Sequence, residues 1–530
     1  MRTKGKAGSA PGQDRRSGKS QGRGNAEGQG AGNGADRAGR NSVRTRDAAP
    51  KAAPAWMADL PVQIGREYEA EIIGISHDGE GVGRVNGFTL FVAGALPAER
   101  ALVRVDHLKK QYGYARLLRL VEESAERVMP DCGIYEECGG CQLQHLSYEA
   151  QLRVKRQQVV DNLQRIGKLE VAGARASEGE GDEGQGIIVH PTLGMSEPWR
   201  YRNKAQVPFG EERGGLIGGF YAQGSHRIID MEECLIQHEA NDEVVARVKE
   251  IGSRLGITAY REESHSGLLR HVVVKVGFRT GEIMVVLVTN GSVIPHVDEW
   301  VDGIRAALPA VKSICHNINV RQTNVIFGDE TRVLWGSEVI YDYIGDVKFA
   351  ISARSFFQVN PVQTEVLYGK ALEYAGLTGD EVVVDAYCGI GTISLFLAQR
   401  AGQVYGVEIV EEAIADARKN AELNGMTNVH FEAGPAEVVL PEWTRQGIRP
   451  DVIVVDPPRK GCDAALLATI LELQPRRVVY VSCSASTLAR DLRVLVDGGY
   501  GVAEVTPVDM FPHTVHVESV ALLVRNETAK

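Results

Sequence analysis

Cys483 is the strongest candidate nucleophile in the chain. It follows an apolar run that is typical of a buried strand, and a helical pattern begins shortly after it, at about Ser486. A cysteine at a strand end that faces a helix N-terminus should have a pKa below the free value of about 8.5, which favours the reactive thiolate. Most free cysteines are instead small buried hydrophobes. The position favours the nucleophile.

Two acidic residues stand at the ends of other predicted strands. Asp456 begins an Asp-Pro-Pro sequence, in which the prolines stiffen the chain and fix the carboxylate. Glu518 enters an apolar strand, where an acid is costly unless it is used or hydrogen-bonded. Both are candidates for chemistry in a pocket, and a purely structural role is the alternative for Glu518.

A further set of residues is suited to binding a nucleoside. Tyr387 and the Gly389-Ile-Gly391 turn follow a predicted strand that ends at Asp385, and Glu408 ends the next strand. The third glycine of a dinucleotide-binding loop is missing, which argues against a pyrophosphate. A carboxylate at the position of Glu408 can accept hydrogen bonds from both ribose hydroxyls. A nucleoside without a pyrophosphate indicates S-adenosylmethionine.

Alternating strands and helices position these residues. The pattern gives helices over 393–400 and 411–423, and strands over 381–385, 403–407, 429–432, 452–455 and 477–481. This alternation predicts a doubly wound α/β sheet, in which ligands bind beyond the carboxyl ends of the strands.

Three of the eight cysteines are clustered with the spacing C-x5-C-x2-C, at Cys132, Cys138 and Cys141. Thiolates this close repel one another unless a cation neutralises them, so we expect a metal centre with Cys234 as the fourth ligand. Spacing alone leaves zinc, iron–sulfur and unligated thiols open. So few cysteines form no disulfide framework, which fits a reducing cytoplasm.

The segment before the cysteines has about five short strands with glycine-rich turns, over 62–122. That size suits a small closed barrel of the oligonucleotide-binding type. The barrel has candidate base-stacking rings among cations, with ordinary edge-strand chemistry as the alternative: Lys109, Lys110, Tyr112, Tyr114, Arg116 and Arg119. After the cysteines, residues 148–167 predict an amphipathic helix with Lys155 on a basic face.

The net charge of −10 is unevenly distributed. Residues 1–56 contain 12 Lys/Arg and 4 Asp/Glu, so the rest of the chain carries −18. We expect this glycine-rich tail to be disordered, and either to hold RNA phosphates loosely or only to aid solubility. Residues 177–186 predict an acidic linker. No apolar run approaches the roughly 18 residues of a membrane span, so we expect no membrane contact.

These patterns divide the chain into a tail (1–57), a barrel (58–122), a central mostly-β domain (123–345) and an α/β domain (346–530). In combination they resemble the RNA uracil-5-methyltransferase family, and within it the enzymes that act on 23S rRNA. The motifs that carry the resemblance are Tyr480-Val-Ser-Cys-Ser, Asp456-Pro-Pro-Arg-Lys-Gly, Phe511-Pro-His-Thr-Val-His-Val-Glu and Ser355-Phe-Phe-Gln-Val-Asn. Two positions depart from the family pattern, Pro435 and Thr392.

The resemblance implies a role for each site residue. The barrel would be a TRAM domain that binds RNA, and Cys132, Cys138, Cys141 and Cys234 would hold a [4Fe–4S] cluster. S-adenosylmethionine would be bound by Gln358, Tyr387, Glu408 and Asp456. Cys483 would be the nucleophile and Glu518 the base that accepts the C5 proton. The cluster favours rRNA over tRNA as the substrate, and we expect a monomer. From a different class, a non-catalytic RNA-binding ribosome-assembly factor would use no S-adenosylmethionine.

Overall fold

The computed structural model describes residues 55–57, 59–173 and 186–526. Residues 1–54 of the predicted tail and most of the predicted acidic linker lie outside these residues. Five strands follow residue 66: β1 (Glu67–Ile75), β2 (Gly81–Val85), β3 (Phe88–Ala93), β4 (Arg100–Leu108) and β5 (Tyr112–Glu122). They close into a barrel in the order β1-β2-β3-β5-β4. The predicted five-stranded barrel is therefore confirmed.

The central region is built on a sheet of seven strands. Its elements are α1 (Tyr148–Arg165), β6 (Ile188–Val189), β7 (Lys204–Glu212), β8 (Gly215–Tyr221), β9 (Ile228–Asp230), α2 (Glu239–Arg254), β10 (Leu269–Val276), β11 (Ile283–Thr289), α3 (Val297–Ala307), β12 (Val311–Ile318) and β13 (Glu330–Gly336). The sheet order is β13-β12-β11-β10-β7-β8-β9. The short strand β6 belongs to a different sheet.

The middle strands of the central sheet, β10 and β11, are buried on both faces, which explains their nearly continuous apolar sequences. Along β10, Val272 and Val274 pack with α2 and α3, whereas Val273 between them packs against the core of the C-terminal domain. Successive side chains of a strand point to opposite faces, so one run of valines joins two cores. The central sheet and the C-terminal domain thus share a packed interface.

The C-terminal domain contains the predicted doubly wound sheet. Its elements are β14 (Val339–Ile344), β15 (Val347–Ser352), α4 (Pro361–Ala375), β16 (Val382–Ala386), α5 (Thr392–Ala398), β17 (Gln403–Glu408), α6 (Glu411–Leu423), β18 (Val429–Ala433), α7 (Ala436–Arg445), β19 (Val452–Val455), α8 (Ala464–Leu473), β20 (Arg477–Ser482), α9 (Ala485–Asp497), β21 (Tyr500–Val508) and β22 (Glu518–Arg525). The sheet order is β18-β17-β16-β19-β20-β22-β21-β6.

Five neighbouring strands of this sheet, from β18 to β20, are parallel, and β22 is antiparallel to both β20 and β21. The strand β6, from the region before the central sheet, pairs with the edge strand β21. The reversed strand matters for the site, because it brings the start of β22 beside the end of β20. No helix within the described ranges is long and apolar enough to cross a membrane.

Candidate active site

A cavity of about 1180 Å³ opens beyond the carboxyl ends of the parallel strands. Its walls include every residue that the sequence predicted for cofactor binding or catalysis: Gln358, Tyr387, Glu408, Asp456, Cys483 and Glu518. These residues come from six different loops and strand ends, spread over 160 positions of the chain. The fold therefore brings together a set of side chains that are far apart in sequence.

The loop after β16 shapes one wall of the cavity. Tyr387 has a left-handed backbone (φ +69°), and its N–H donates to the carbonyl of Val407 at 3.0 Å. The Tyr387 hydroxyl accepts a hydrogen bond from the N–H of Asp463 at 3.3 Å. Gly391 is required here, because it has φ +83° and a Cβ atom would lie 2.9 Å from the ring of Phe431.

Glu408 faces the same loop from the end of β17. One of its carboxylate oxygens accepts from the N–H of Gly389 at 3.3 Å and the other from the N–H of Val410 at 3.1 Å. A carboxylate has lone pairs beyond these two bonds, so it can also accept from ligand hydroxyls in the cavity. Pro435, where the sequence departs from the family pattern, also lines this cavity.

Gln358 reaches the cavity from the segment that leads into α4. Its backbone carbonyl accepts a hydrogen bond from the Asn203 side chain at 2.9 Å. Two residues later, Asn360 caps α4 by accepting from the N–H of Gln363, and Pro361 occupies the first turn of the helix. These contacts fix the position of Gln358 against the central sheet.

Buried carboxyls concentrate at the centre of this edge. Burial raises the pKa of Asp385 to about 7, while a hydrogen bond from the Ser394 hydroxyl opposes that rise. Burial also raises the pKa of Asp456 and of Glu518, and the negative charge of Asp456 raises the pKa of Glu518 further. When two carboxylates share a buried site, their like charges favour the protonated form of at least one of them.

Cys483 and Glu518 are neighbours across two strands. In the register between β20 and β22, Ser482 pairs with Ser519, so the residue after β20 lies beside the residue that begins β22. Burial raises the pKa of the Cys483 thiol to about 11, with further contributions from Glu518 and Asp456. The expectation of a depressed pKa was therefore wrong, because burial and two carboxyls outweigh the N-terminus of α9.

The cation of Arg459 acts in the opposite direction. Arg459 is exposed at the cavity wall, and its charge lowers the pKa values of both Cys483 and Glu518. Among the described residues, no carboxylate forms an ion pair with it. Its charge therefore remains available to the cavity.

The loop between β21 and β22 carries Glu518 and is held by α1. The ammonium of Lys155 donates to Asp509 at 2.5 Å and to the carbonyl of Phe511 at 3.0 Å, and both members of this ion pair are fully buried. The Tyr148 hydroxyl donates to the other carboxylate oxygen of Asp509 at 3.0 Å. The prediction that Lys155 lies on a basic face of the helix was wrong, because its side chain is fully buried and paired with Asp509.

A second anchor fixes the middle of the same loop. The N–H of His513 donates to the Gln151 side chain at 2.9 Å, and its ring stacks on Trp199 with centroids 3.6 Å apart. His513 has φ +66°, an uncommon conformation for a residue with a Cβ. Sequence reasoning missed these anchoring contacts, and the only local signal for them is the polar residues that interrupt the apolar ones in 509–516.

The four predicted metal-ligating cysteines line a second cavity, of about 350 Å³. They are Cys132, Cys138, Cys141 and Cys234. Burial raises the pKa of Cys141 to about 11 and of Cys234 to about 12. Within the described ranges, no three His, Cys, Asp or Glu side chains are grouped to hold a metal ion. The four thiols line the same cavity, but they are not arranged around one point as the ligands of a single metal ion would be.

The two cavities have a common wall. Arg459, Phe511 and His516 line both of them. Two of these residues belong to the loop that α1 anchors, and the third follows Asp456. The cysteine cavity therefore lies directly behind the loop that carries Glu518.

The comparisons with known proteins agree with this arrangement. The profile of the tRNA (Uracil-5-)-methyltransferase family matches residues 329–526, and that of the TRAM domain matches residues 61–118. An RNA methyltransferase of Halalkalibacterium halodurans is 60% identical over 463 residues, which cover 87% of this chain and 98% of the relative. An RNA methyltransferase of Bacillus cereus is 56% identical with the same coverage.

A solved structure extends the likeness to three dimensions. The tRNA (uracil-54, C5)-methyltransferase of Pyrococcus abyssi, in complex with S-adenosyl-L-homocysteine, is 29% identical with a TM-score of 0.67. The match covers 86% of this chain and all of that one. These matches are those of an S-adenosylmethionine-dependent RNA methyltransferase. Specifically, the chain belongs to the RNA uracil-5-methyltransferase family, and its barrel is a TRAM domain.

Proposed function

We propose that the protein transfers a methyl group from S-adenosylmethionine to C5 of a uridine in 23S rRNA, through a covalent adduct between Cys483 and C6. The observation that carries this proposal is the register between β20 and β22, which sets Cys483 beside Glu518 in one cavity. A nucleophile and a base on the same reacting ring must lie this close together.

The cofactor would be held on the side of the cavity nearer the starts of α4 and α5. Glu408 would accept hydrogen bonds from the ribose hydroxyls, Tyr387 would lie against the cofactor, and Gln358 and Asp456 would supply polar contacts. The two N–H groups that already orient the Glu408 carboxylate leave it with unused lone pairs. When bound, S-adenosylmethionine supplies the methyl group and a positive sulfonium charge that favours the Cys483 thiolate.

The chemistry follows from the weakness of uracil C5 as a nucleophile. In the proposed reaction, Cys483 loses its proton to water in the open cavity and its thiolate adds to C6. The electron pair displaced from the C5–C6 double bond makes C5 nucleophilic, so C5 would form a bond to the methyl carbon. The bond between that carbon and the cofactor sulfur would break in the same step, with S-adenosylhomocysteine as the leaving group. The Glu518 carboxylate then takes the C5 proton, the double bond forms again and the thiolate leaves.

Arg459 would act on Cys483 and Glu518 through its positive charge. Its cation favours the ionised forms of Cys483 and Glu518, which the reaction requires. The target base must leave its stack to reach these groups, because they line a cavity. The TRAM barrel would hold the surrounding RNA, with its contacting rings Phe91, Tyr112 and Tyr114 as stacking surfaces.

We further propose that the four cysteines hold a [4Fe–4S] cluster that braces the loop carrying Glu518. Support comes from the four thiols that line a single 350 Å³ cavity. A cluster is wider than one ion, so its ligands need not meet at a point, which accommodates their looser arrangement here. When bound, the cluster supplies a covalent brace between the segment 132–141 and Cys234.

Two classes of RNA are candidate substrates. The cysteines favour rRNA, and we place the protein in the cytoplasm as a monomer. A tRNA is the second candidate substrate, because the solved structure with a TM-score of 0.67 is a tRNA (uracil-54, C5)-methyltransferase. Both candidates share the same chemistry at the uracil ring.

Methylation of defined RNAs tests the proposal. Purified full-length protein is incubated with methyl-labelled S-adenosylmethionine and with transcripts of 23S rRNA or tRNA from the source genome. We expect 5-methyluridine in 23S rRNA, identified by nuclease digestion and mass spectrometry. Label in tRNA alone would favour the second candidate. A methyl group on cytosine or on ribose would overturn the proposed reaction itself.

A further inference from the structure

The loop between β12 and β13 presents six consecutive exposed residues, Val320 to Val325. The segment contains no regular secondary structure and runs from Asn319 to Asp329. Exposed loops of this length in enzymes are usually variable connections with few internal contacts. This loop is instead held by three buried polar side chains, which together make eight hydrogen bonds with groups of the loop.

Arg270, on β10, supplies the first support. Its guanidinium is buried, stacks on the ring of Tyr260 at 4.3 Å, and donates to the carbonyls of Asn319, Arg321 and Thr323 at 2.7–3.3 Å. No carboxylate pairs with this arginine among the described residues. Burying a cation that has no carboxylate partner costs free energy. The Arg270 guanidinium is nevertheless buried, and its hydrogen bonds go to the backbone of this one loop.

Asn317 and Asn319 supply the other supports from the end of β12. The Asn319 amide donates to the carbonyls of Val325 and Ile326 at 2.7 and 2.9 Å and accepts from the N–H of Arg321 at 3.1 Å. The Asn317 amide bonds both backbone groups of Gly328. At Gly328 a Cβ atom would lie 1.8 Å from the carbonyl oxygen of Ile318, so only glycine fits.

The loop displays two amide side chains that this scaffold does not use. Gln322 and Asn324 are exposed, and within the described part of the chain neither side chain makes a hydrogen bond. Between them, the Thr323 hydroxyl accepts from the N–H of Val325 at 3.3 Å. The nearby Arg321 forms an ion pair with Asp329. The backbone is therefore fixed while the two amides remain free to bind a partner.

The loop ends at the active-site cavity. The Arg354 guanidinium donates to the carbonyl of Asp329 at 3.1 Å, and Arg354, Thr331 and Val333 all line that cavity. A strand of RNA that places a uridine in the cavity must leave it over the rim. The stem of the loop forms part of this rim.

We infer that Gln322 and Asn324 read unpaired RNA bases beside the target uridine. This inference rests on the proposed function, because it requires an RNA with its target base in the cavity. Carboxamides donate and accept at once, so they can pair with two adjacent groups on a base edge. Sequence-specific proteins read RNA mainly at unpaired bases, whose edges are accessible. A preformed loop binds with less loss of conformational entropy than a mobile one.

Selection from a randomised RNA library tests the inference by binding alone. The probe is a set of RNA hairpins whose loop carries a fixed uridine flanked by random nucleotides. The variant is the double substitution Gln322→Ala with Asn324→Ala in the full chain. The matched control is Gln399→Ala with Gln446→Ala, which removes two exposed amides at the opposite edge of the α/β sheet.

We expect the wild type and the control to enrich the same bases near the uridine. The double variant should lose the enrichment at two positions and bind the selected hairpins about tenfold more weakly. An unchanged enrichment in the variant, or no enrichment by the wild type, would overturn the inference. Methylation of the selected hairpins is measured separately, so failure of the proposed reaction is distinguished from failure of base reading.

A positioning variant checks the scaffold. Arg270→Lys keeps the charge but cannot reach three carbonyls, so the loop should become sensitive to limited proteolysis after Arg321. The same variant should lose base enrichment while its affinity for S-adenosylhomocysteine stays unchanged. Lost enrichment with an intact, protease-resistant loop would contradict the proposed role of Arg270.

Discussion

The two cavities of this protein are built in different ways, although they share a wall. The active-site cavity is formed by strand ends and the loops that follow them, and the sheet order fixes those positions. The cysteine cavity is formed by irregular segments, around 132–144 and 233–237, that no strand pairing brings together. The fold sets the position of a side chain at the end of a parallel strand. The position of a side chain on a loop depends instead on contacts that are specific to this chain.

The residues that line both cavities connect the strand-end cavity to the cysteine cavity. Phe511 and His516 lie on the loop that ends at Glu518, and Arg459 follows Asp456. The loop is held by the buried pair of Lys155 and Asp509 on one side and by the cysteine segment on the other. Backbone N–H groups of Gln142 and Leu143 donate to the carbonyl of His513 at 3.0 and 2.9 Å. The position of Glu518 therefore depends on both cavities.

The largest expected effect is in the strand-end cavity. Cys483→Ala removes the proposed nucleophile, so methyl transfer should fall by at least about a thousandfold while S-adenosylhomocysteine still binds. Glu518→Gln should be similarly inactive but should accumulate protein joined to methylated RNA, because the C5 proton cannot leave. Denaturing gels with labelled RNA measure the adduct.

The two variants act as controls for each other. Cys483→Ala combined with Glu518→Gln should show no adduct. If Glu518→Gln is inactive without any slow-migrating band, Glu518 has another role. Full activity in Cys483→Ala would remove the covalent mechanism altogether.

The different construction of the two cavities also decides what the sequence could predict. Asp456 and Glu408 follow short apolar runs that mark their strands, so their place at one edge could be inferred from the pattern. The pairing of β22 between β20 and β21 has no comparable local signal. The neighbours of Cys483, and therefore its raised pKa, were for that reason not predictable.

Lys155 shows the same limit at the level of one residue. It lies in a helix among Arg153 and Arg156, and the local pattern is that of a basic solvent face. Its true partner, Asp509, is 354 residues away. A charge pattern along one helix carries no information on an acid from another domain. The convergence of Cys234 with the cysteine cluster, which is also non-local, was inferred only from residue type.

The second prediction concerns the anchor between the cavities. Lys155→Met leaves the Asp509 carboxylate buried without its cation, which should lower the free energy of unfolding by about 3 kcal/mol. Asp509→Asn should have a comparable cost, whereas the double variant with Lys155→Met and Asp509→Leu should recover part of the loss. Urea unfolding at pH 7 measures each value.

Measurement of kcat distinguishes an anchoring role of the Lys155–Asp509 pair from a purely stabilising one. If the pair positions the loop, kcat of the double variant should remain below that of the wild type at a temperature where both are folded. A double variant with recovered stability and unchanged kcat would contradict a positioning role and limit the pair to folding.

The third prediction tests the loop-built cavity. Cys141→Ser should reduce the iron and acid-labile sulfide of purified protein to background and lower the melting temperature, because a brace on the loop is lost. Its effect on kcat should be smaller than that of Cys483→Ala, since no reacting group is removed. The control is Cys462→Ala, a buried cysteine outside both cavities.

Equal metal content in Cys141→Ser and in Cys462→Ala would overturn the proposed cluster. Zinc in place of iron, measured by elemental analysis, would retain the metal centre but change its identity. Unchanged stability after loss of iron would contradict the bracing role.

The smallest expected effect is at Arg459, which belongs to both cavities. Its cation lowers the pKa values of Cys483 and Glu518, and the proposed reaction requires both groups in their ionised forms. Activity should therefore rise with pH. Arg459→Gln raises both pKa values, so the rising limb of the profile of kcat/KM should move to higher pH. Because Arg459 is solvent-exposed, screening limits the shift to less than about one pH unit.

Lys460→Gln provides the matched control, because it removes the same charge from the next residue. Lys460 is not among the leading charges that act on either group, so its profile should move less. High salt should shrink the difference between wild type and Arg459→Gln, since screening weakens an exposed cation. If both variants shift equally, the effect is one of net charge at the rim. A shift confined to Arg459→Gln instead locates the control of ionisation on the wall that joins the two cavities.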